Sequence, residues 1–192
     1  MQFQIGVARR ICETIGTLNM PSVSEKLGQM AAQAAMVEGL VYGMESGGGY
    51  YNGYYVPDRN LMYTAQVLTQ QLYPEFITSM REIAGGGLIM LPSSVKDFEN
   101  PEIARYIHAT QNSAVGTSEE KVKFMKLAWD AIGSEFASRH TQYEMFYAGA
   151  QFVTRGHALR TYDWNRSKIL VDDILNSYNL EDMFEEKNVA AE

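Results

Sequence analysis

The side chains best suited to acid–base or metal chemistry are few: three histidines and one cysteine in 192 residues. His108 and His157 have no carboxylate or cysteine at metal-ligand spacing, and Cys12 stands alone. Neither a metal site nor a multi-cysteine iron–sulfur cluster is therefore expected. Arg139 and His140 interrupt an apolar stripe, where a charge needs a partner, and Glu135 and Glu144 each lie near one helical turn away. A structural ion pair is the favoured role for Arg139, and a hydrogen-bonded helix histidine, not a base, that for His140. No phosphate-binding loop, dinucleotide-type glycine turn, H-E-x-x-H helix or nucleophile elbow occurs. Nor does the pattern contain a base beside a polar orienter in a closed apolar pocket, so no catalytic residue is assigned.

The elements that would hold these residues have helical periodicity. Over residues 3–18, Ile5, Val7, Ala8, Ile11 and Ile15 recur at helical intervals, and Gly16, Asn19 and Pro21 mark the end. No capping residue precedes that helix, so it reads as cut at its start and the chain as a fragment. Pro21 followed by Ser22-x-x-Glu25 predicts a capping box opening a helix to about Ser46. That helix carries two stripes: Leu27, Met30, Ala34, Val37, Val41 and Met44 on one, Gly28, Ala32, Ala35, Gly39 and Gly43 on the other. Both are expected to be buried, the small one against a closely approaching helix. Gly47, Gly48 and Gly49 stop it, and Tyr50, Tyr51, Tyr54 and Tyr55 follow in a loop. Packing area is the favoured role for these tyrosines, a substrate entrance the alternative.

The next helix is capped near Asp58 and reaches Ala84, with Pro74 marking either a kink or a fresh start. Gly85, Gly86 and Gly87 terminate it with close packing. Pro101 opens a short helix to about Ala109. Thr117-x-x-Glu120 predicts a second capping box and one helix to about Tyr147, with Val122, Met125, Trp129, Ile132, Phe136, Tyr143 and Phe146 as its apolar seam. Residues 152–162 and 164–178 read as closing helices, and residues 179–192 as an acidic tail. With no alternating strand pattern and no repeat, the fold class is all-α, one helical domain over residues 1–178 with about four long helices at its core.

A 192-residue chain with 46% hydrophobic content is long enough for one sizeable core. Sixteen basic against 23 acidic residues, a formal charge of -7, argue against nucleic acid and anionic membrane surfaces as partners. The start does not read as a signal peptide, the most apolar stretch (30–44) is too short and polar to span a bilayer, and a single cysteine fits a reducing, cytoplasmic compartment.

Separated motifs then carry a resemblance over residues 3–178. Gly87-Leu-Ile-Met-Leu-Pro-Ser-Ser94, Trp129-Asp-Ala-Ile-Gly-Ser-Glu-Phe-Ala-Ser-Arg-His140, Tyr143-Glu144 and Tyr147-Ala-Gly149 occur in an order similar to the C-terminal domain of the 4-hydroxyphenylacetate 3-hydroxylase family. The resemblance implies an acyl-CoA-dehydrogenase-like architecture of which this chain is the C-terminal four-helix bundle. The N-terminal helical and middle β domains, with the phenol-binding residues, would lie outside it. It further implies a reduced-FAD-dependent monooxygenase served by a separate flavin reductase, hydroxylating a phenol ortho to its hydroxyl, and a homo-oligomer, dimer or tetramer.

By the same resemblance, the turn made by Gly149, Ala150, Gln151, Phe152 and Val153 touches FAD. The chemistry is coherent, since Gly149 lets a ligand approach the backbone and the following helix start has N–H groups to offer. Without the resemblance the turn is a helix-ending glycine and a cap. A flavin or subunit contact is likewise the alternative for Arg139. Two classes of function stay open: a portion of a flavin-dependent aromatic hydroxylase that completes the FAD cleft and assembles the oligomer, or an oligomerising helical module with no retained activity.

Overall fold

The computed structural model describes residues 1–178; the acidic segment expected at 179–192 lies outside the described residues. Eight α-helices and one short hairpin make up the regular structure of the described part, in agreement with the all-α expectation.

Helix α1 (Gln2–Ile15) ends where Gly16 adopts a left-handed conformation, φ +83°, and returns its N–H to the Cys12 carbonyl. Helix α2 (Pro21–Ser46) has Met20 as its N-cap and Pro21 in its first turn, with no side-chain cap. The Ser22-x-x-Glu25 capping box is thus absent. Proline, which has no N–H to leave orphaned, starts the helix itself and places Ser22 inside it. Among the described residues the larger α2 stripe is covered in part, Val41 staying exposed, and of the small stripe Gly43 alone is half-buried, against Leu61. Met30 is buried, whereas Gly28, Ala32, Ala35 and Gly39 all face outward.

The tyrosine segment is not a plain loop. Strands β1 (Gly49–Tyr51) and β2 (Tyr54–Val56) pair antiparallel, with Tyr50 opposite Tyr55 and Tyr51 opposite Tyr54. Asn52 (φ +50°) and Gly53 (φ +84°) supply the two left-handed residues that a two-residue hairpin turn requires. The four tyrosines are exposed, so among the described residues they supply no core packing.

Helix α3 (Arg59–Ala84) runs unbroken through Pro74, capped by Asp58 Oδ1, which accepts from Leu61 N–H at 2.7 Å. Neither a fresh helix start nor a second element appears at the proline. This helix is the hub and packs against α1, α2, the two helices after α4, and α7. Its end passes through a 3-10 turn (Gly85–Leu88), where a side chain at Gly87 would stand 3.0 Å from the Met125 methyl. Close packing at this triple glycine is thereby confirmed at Gly87. A second 3-10 turn (Val95–Glu99), capped by Ser94, precedes α4 (Pro101–Thr110).

The expected single helix to Tyr147 is two: α5 (Ser118–Ile132) and α6 (Glu135–Phe146). The Thr117/Glu120 capping box does open α5, with both reciprocal bonds formed. The break has local causes. The Trp129 ring lies so close over Gly133 that a Cβ there would meet it at 2.5 Å, and Ser134 Oγ caps the new helix through Ala137 N–H. Arg81 then satisfies the terminal Ile132 carbonyl, donating from Nε (2.9 Å) and Nη2 (2.6 Å). The break alters the exposure of the apolar seam. Val122, Met125 and Ile132 are buried, the last two in one core with Ile11, Phe76 and Met80, while Trp129, Phe136, Tyr143 and Phe146 are exposed.

Helices α7 (Gln151–Thr161) and α8 (Trp164–Asn176) close the described chain, and no residue of α8 is buried. No helix among the described residues is long and apolar enough to cross a membrane.

Candidate functional site

The α6–α7 connection brings the five predicted turn residues together at a helix start. Tyr147 still bonds back into α6 through the Tyr143 carbonyl, and Gly149 N–H reaches the Phe146 carbonyl at 2.9 Å. Gly149 has φ +104°, a conformation that L side chains rarely adopt. A Cβ built there would meet nothing within 4 Å, so glycine's requirement is conformational and its outer side is open to a ligand. Ala150 is the N-cap of α7, and no side chain caps it. The Ala150 carbonyl accepts from Val153 and Thr154 within the chain. The first N–H groups of α7 are therefore left without a side-chain acceptor, at the end of the helix that favours negative charge.

Side chains around this end are sorted by α3. Gln70, 1% exposed, donates from Nε2 to the carbonyls of Met145 (3.0 Å) and Gly149 (2.8 Å), and its Oε1 accepts from Thr154 Oγ1 at 2.9 Å. Gln151 is engaged by Arg155 Nη2 at 2.9 Å, while Phe152 is 79% exposed. Along α6 an aromatic row leads to the turn: Phe136 stacks on His140 and Tyr143 on Tyr147, with His140 and Tyr143 tilted against each other between them, at centroid separations of 6.0 to 6.3 Å. The turn thus combines unfilled backbone donors, open space and neighbouring aromatic surface. Those features fit a flavin, which has phosphate and ribityl oxygens and a planar ring.

Arg139 does pair with Glu135, at 2.7 Å, but both side chains are about four-fifths exposed. It does not sit on a buried stripe, because α6 turns that position to the outside after the break. An exposed pair of this kind contributes little to holding the fold together. His140 is held by Glu144, Nε2 to Oε1 3.2 Å, with the Tyr73 ring edge-on at 5.4 Å. Burial and the Glu144 charge push the Tyr73 hydroxyl above its ordinary pKa. His108 lies 3.6 Å from Glu119, and His157 stacks on Tyr63 at 4.7 Å while meeting Arg160. No group of three or more potential metal ligands forms among the described residues.

Sequence reasoning missed Gln70 and Thr154. A glutamine inside a helix and a threonine in a first turn match ordinary solvent-facing positions, and nothing in the periodicity marks them. The His140–Glu144 pair, by contrast, has the i,i+4 spacing and was open to inspection.

Among known proteins, residues 1–176 match the family described as 4-hydroxyphenylacetate 3-hydroxylase C terminal. The chain is similar to the 4-hydroxyphenylacetate 3-monooxygenase oxygenase component of Pseudomonas aeruginosa, 33% identical over 162 residues, 83% of this chain and 31% of that protein. It is similar in structure to an oxygenase component of 4-hydroxyphenylacetate 3-monooxygenase complexed with FAD and 4-hydroxyphenylacetate. The TM-score is 0.86 at 27% identity, over 92% of this chain and 37% of the other. An archaeal 4-hydroxybutyryl-CoA dehydratase from N. maritimus, TM-score 0.81 at 20% identity over 93% of this chain and 36% of that one, shares the fold alone. The chain spans about a third of the length of these relatives.

Proposed function

The chain belongs to the 4-hydroxyphenylacetate 3-hydroxylase C-terminal family, and on that premise we propose that it forms the flavin-cleft and assembly portion of a two-component monooxygenase. Reduced FAD comes from a separate reductase in the cytoplasm, and the substrate is a phenol such as 4-hydroxyphenylacetate. When bound, the reduced flavin supplies two electrons, so that one atom of O2 enters the ring ortho to the hydroxyl and the other leaves as water. The chain's own contribution is to bind and shield. The α7 start offers backbone N–H groups to the cofactor's oxygens, the open side of Gly149 admits it, and the exposed aromatic row excludes water from its ring. The residues that hold the phenol are assigned to segments outside this chain, which by itself is not expected to hydroxylate.

The single observation that carries this reading is the uncapped α7 N-terminus behind a left-handed Gly149 with open space in front of it. Gly149→Leu in the intact protein that carries this chain is the direct test. It strains the backbone and fills the approach without changing charge. Reduced-FAD affinity and the fraction of oxygen consumed productively should both fall while phenol affinity holds. Unchanged flavin affinity would leave the turn a purely structural feature.

The assembly part of the proposal is supported by α2, whose Gly28, Ala32, Ala35 and Gly39 are uncovered among the described residues. Together with α1, α3 and the interrupted α5–α6 pair, α2 supports a four-helix reading of the bundle. An oligomerising module without flavin chemistry is the second reading, and the same α2 face favours it. Titration with reduced FAD separates the two, since only the first predicts saturable binding.

A further inference from the structure

Gln70 makes contacts that packing alone does not require. Its carboxamide, buried midway along α3, bonds at once to the last turn of α6 (Met145 carbonyl), to the turn (Gly149 carbonyl) and to the first turn of α7 (Thr154 hydroxyl). Carbonyls at a helix C-terminus and just beyond it have no partner within their own helix, and one amide nitrogen with two N–H groups can serve two of them. The two carbonyls also settle which way the amide faces. Turned over, Oε1 would stand against two carbonyl oxygens. With Nε2 there, Oε1 needs a donor in the interior, and Thr154, 0% exposed, places its hydroxyl 2.9 Å away, with the Gln151 carbonyl at 3.0 Å as the competing acceptor.

The consequence reaches the open side of the turn. No cis peptide bond occurs among the described residues, so the Gly149 carbonyl and the Ala150 N–H lie in one plane and point in opposite directions. Anchoring the carbonyl inward on Gln70 therefore aims the Ala150 N–H away from α3. Gly149, left-handed and open on the side where a side chain would stand, is held through its own backbone: its N–H donates to the Phe146 carbonyl and its carbonyl accepts from Gln70.

We propose that Gln70, oriented by Thr154, is a positioning residue for the cofactor. It fixes the Gly149–Ala150 peptide plane so that the Ala150 N–H and the α7 start are presented, preorganised, to an oxygen of reduced FAD. This rests on the assignment of residues 149–153 to flavin contact. A donor already aimed at its acceptor loses less freedom on binding than one that must be ordered first. Thr154 is a positioning residue at one remove, acting through the amide.

The experiment uses the intact protein that carries this chain, with Gln70→Met, Thr154→Val, Thr154→Ser and Gly149→Leu. Anaerobic titration gives the reduced-FAD affinity, and amide hydrogen exchange reports on the turn and, separately, on α1 and α5. Gln70→Met should weaken reduced-FAD binding on the order of tenfold, the scale of one or two lost hydrogen bonds. Exchange should rise in the turn and stay as it is in α1 and α5. Thr154→Val, which replaces only a hydroxyl by a methyl, should weaken binding in the same sense, and Thr154→Ser should restore it. If Gly149→Leu weakens binding while Gln70→Met leaves it at the wild-type value, the positioning role is overturned and the flavin turn stands. If Gly149→Leu has no effect either, the turn assignment fails and takes this proposal with it. Should Gln70→Met not fold, the threonine pair decides: equal affinity in Thr154→Val and Thr154→Ser overturns the proposal.

Discussion

At the scale of single residues, chemical type and surroundings diverge most at Cys12, Arg139 and Gln70. Cys12 is fully buried on α1, and burial pushes its thiol above the ordinary value. Only thiolate reacts, so a raised pKa and a closed surface act in the same direction. The native protein is expected to resist a thiol reagent at neutral pH and to release one reactive group in denaturant. Rapid labelling without denaturant would show that α1 opens or packs differently. Arg139 teaches the opposite lesson, for its position in the heptad-like pattern argued for burial and the structure leaves it exposed beside Glu135. Gln70 has a polar side chain in the interior, which is favourable only when its donors and acceptor are met, and all three of its contacts are within 3.0 Å.

Elements in this chain begin and end by several different devices, and the devices differ in what they are worth. Thr117 and Glu120 form a complete capping box on α5, whereas Ser22 caps nothing because α2 starts from Pro21. Thr117→Ala is therefore expected to lower unfolding stability by about 1 kcal/mol, and Ser22→Ala to change it by no more than a few tenths. Parallel urea titrations of the two variants give the comparison. Equal losses would mean that α2 is capped by Ser22 in solution after all. The break between α5 and α6 belongs to the same scale. Gly133 and Ser134 are a stop and a start, and Arg81 from α3 closes the carbonyl they expose. After that break α6 turns Phe136, Tyr143 and its C-cap Tyr147 outward while Ala137 packs inward.

For the whole molecule, the distribution of uncovered apolar surface is the informative quantity. The outward surface of α2 includes Gly28, Ala32, Ala35 and Gly39 beside the exposed Met36, Val41 and Tyr42, and α8 exposes Ile169, Leu170, Ile174 and Leu175 while burying nothing. Apolar faces left open on this scale mark contact surfaces. The prediction is self-association through α2, tested with Ala35→Leu. Because Ala35 is exposed in the single chain, the larger side chain has room there and should leave protomer stability nearly unchanged. In a close helix–helix contact between copies it would overpack, weakening association by ~1 to 3 kcal/mol. Sedimentation equilibrium reads this directly. A wild type that stays monomeric at high concentration, or a variant that associates as well as wild type, would sink the α2 interface.

Local pattern determined a great deal here. Helical periodicity, the Thr117/Glu120 and Asp58 caps, the terminating Gly16 and the helix start at Pro101 are all short-range properties, written within a turn or two of the residues that show them. The Gly149 turn was legible for the same reason as a glycine between two helical segments, and its link to a flavin came from the resemblance. The hairpin at Asn52-Gly53 and the stop at Gly133-Ser134 were present as local signals too, outweighed by the tyrosine-rich and apolar-periodic context around them. What only tertiary structure decided is long-range. Gln70 lies 75 to 84 residues from the three groups it binds, and Arg81 51 residues from the carbonyl it closes. No local propensity records such pairings, because they exist only once α3 has packed against α5, α6 and α7 and turned those side chains toward them. The same packing decided that Met30 of the large α2 stripe is core while Gly28, Ala32, Ala35 and Gly39 of the small one are surface, since a helix's own periodicity says that a face is apolar and not what, if anything, covers it.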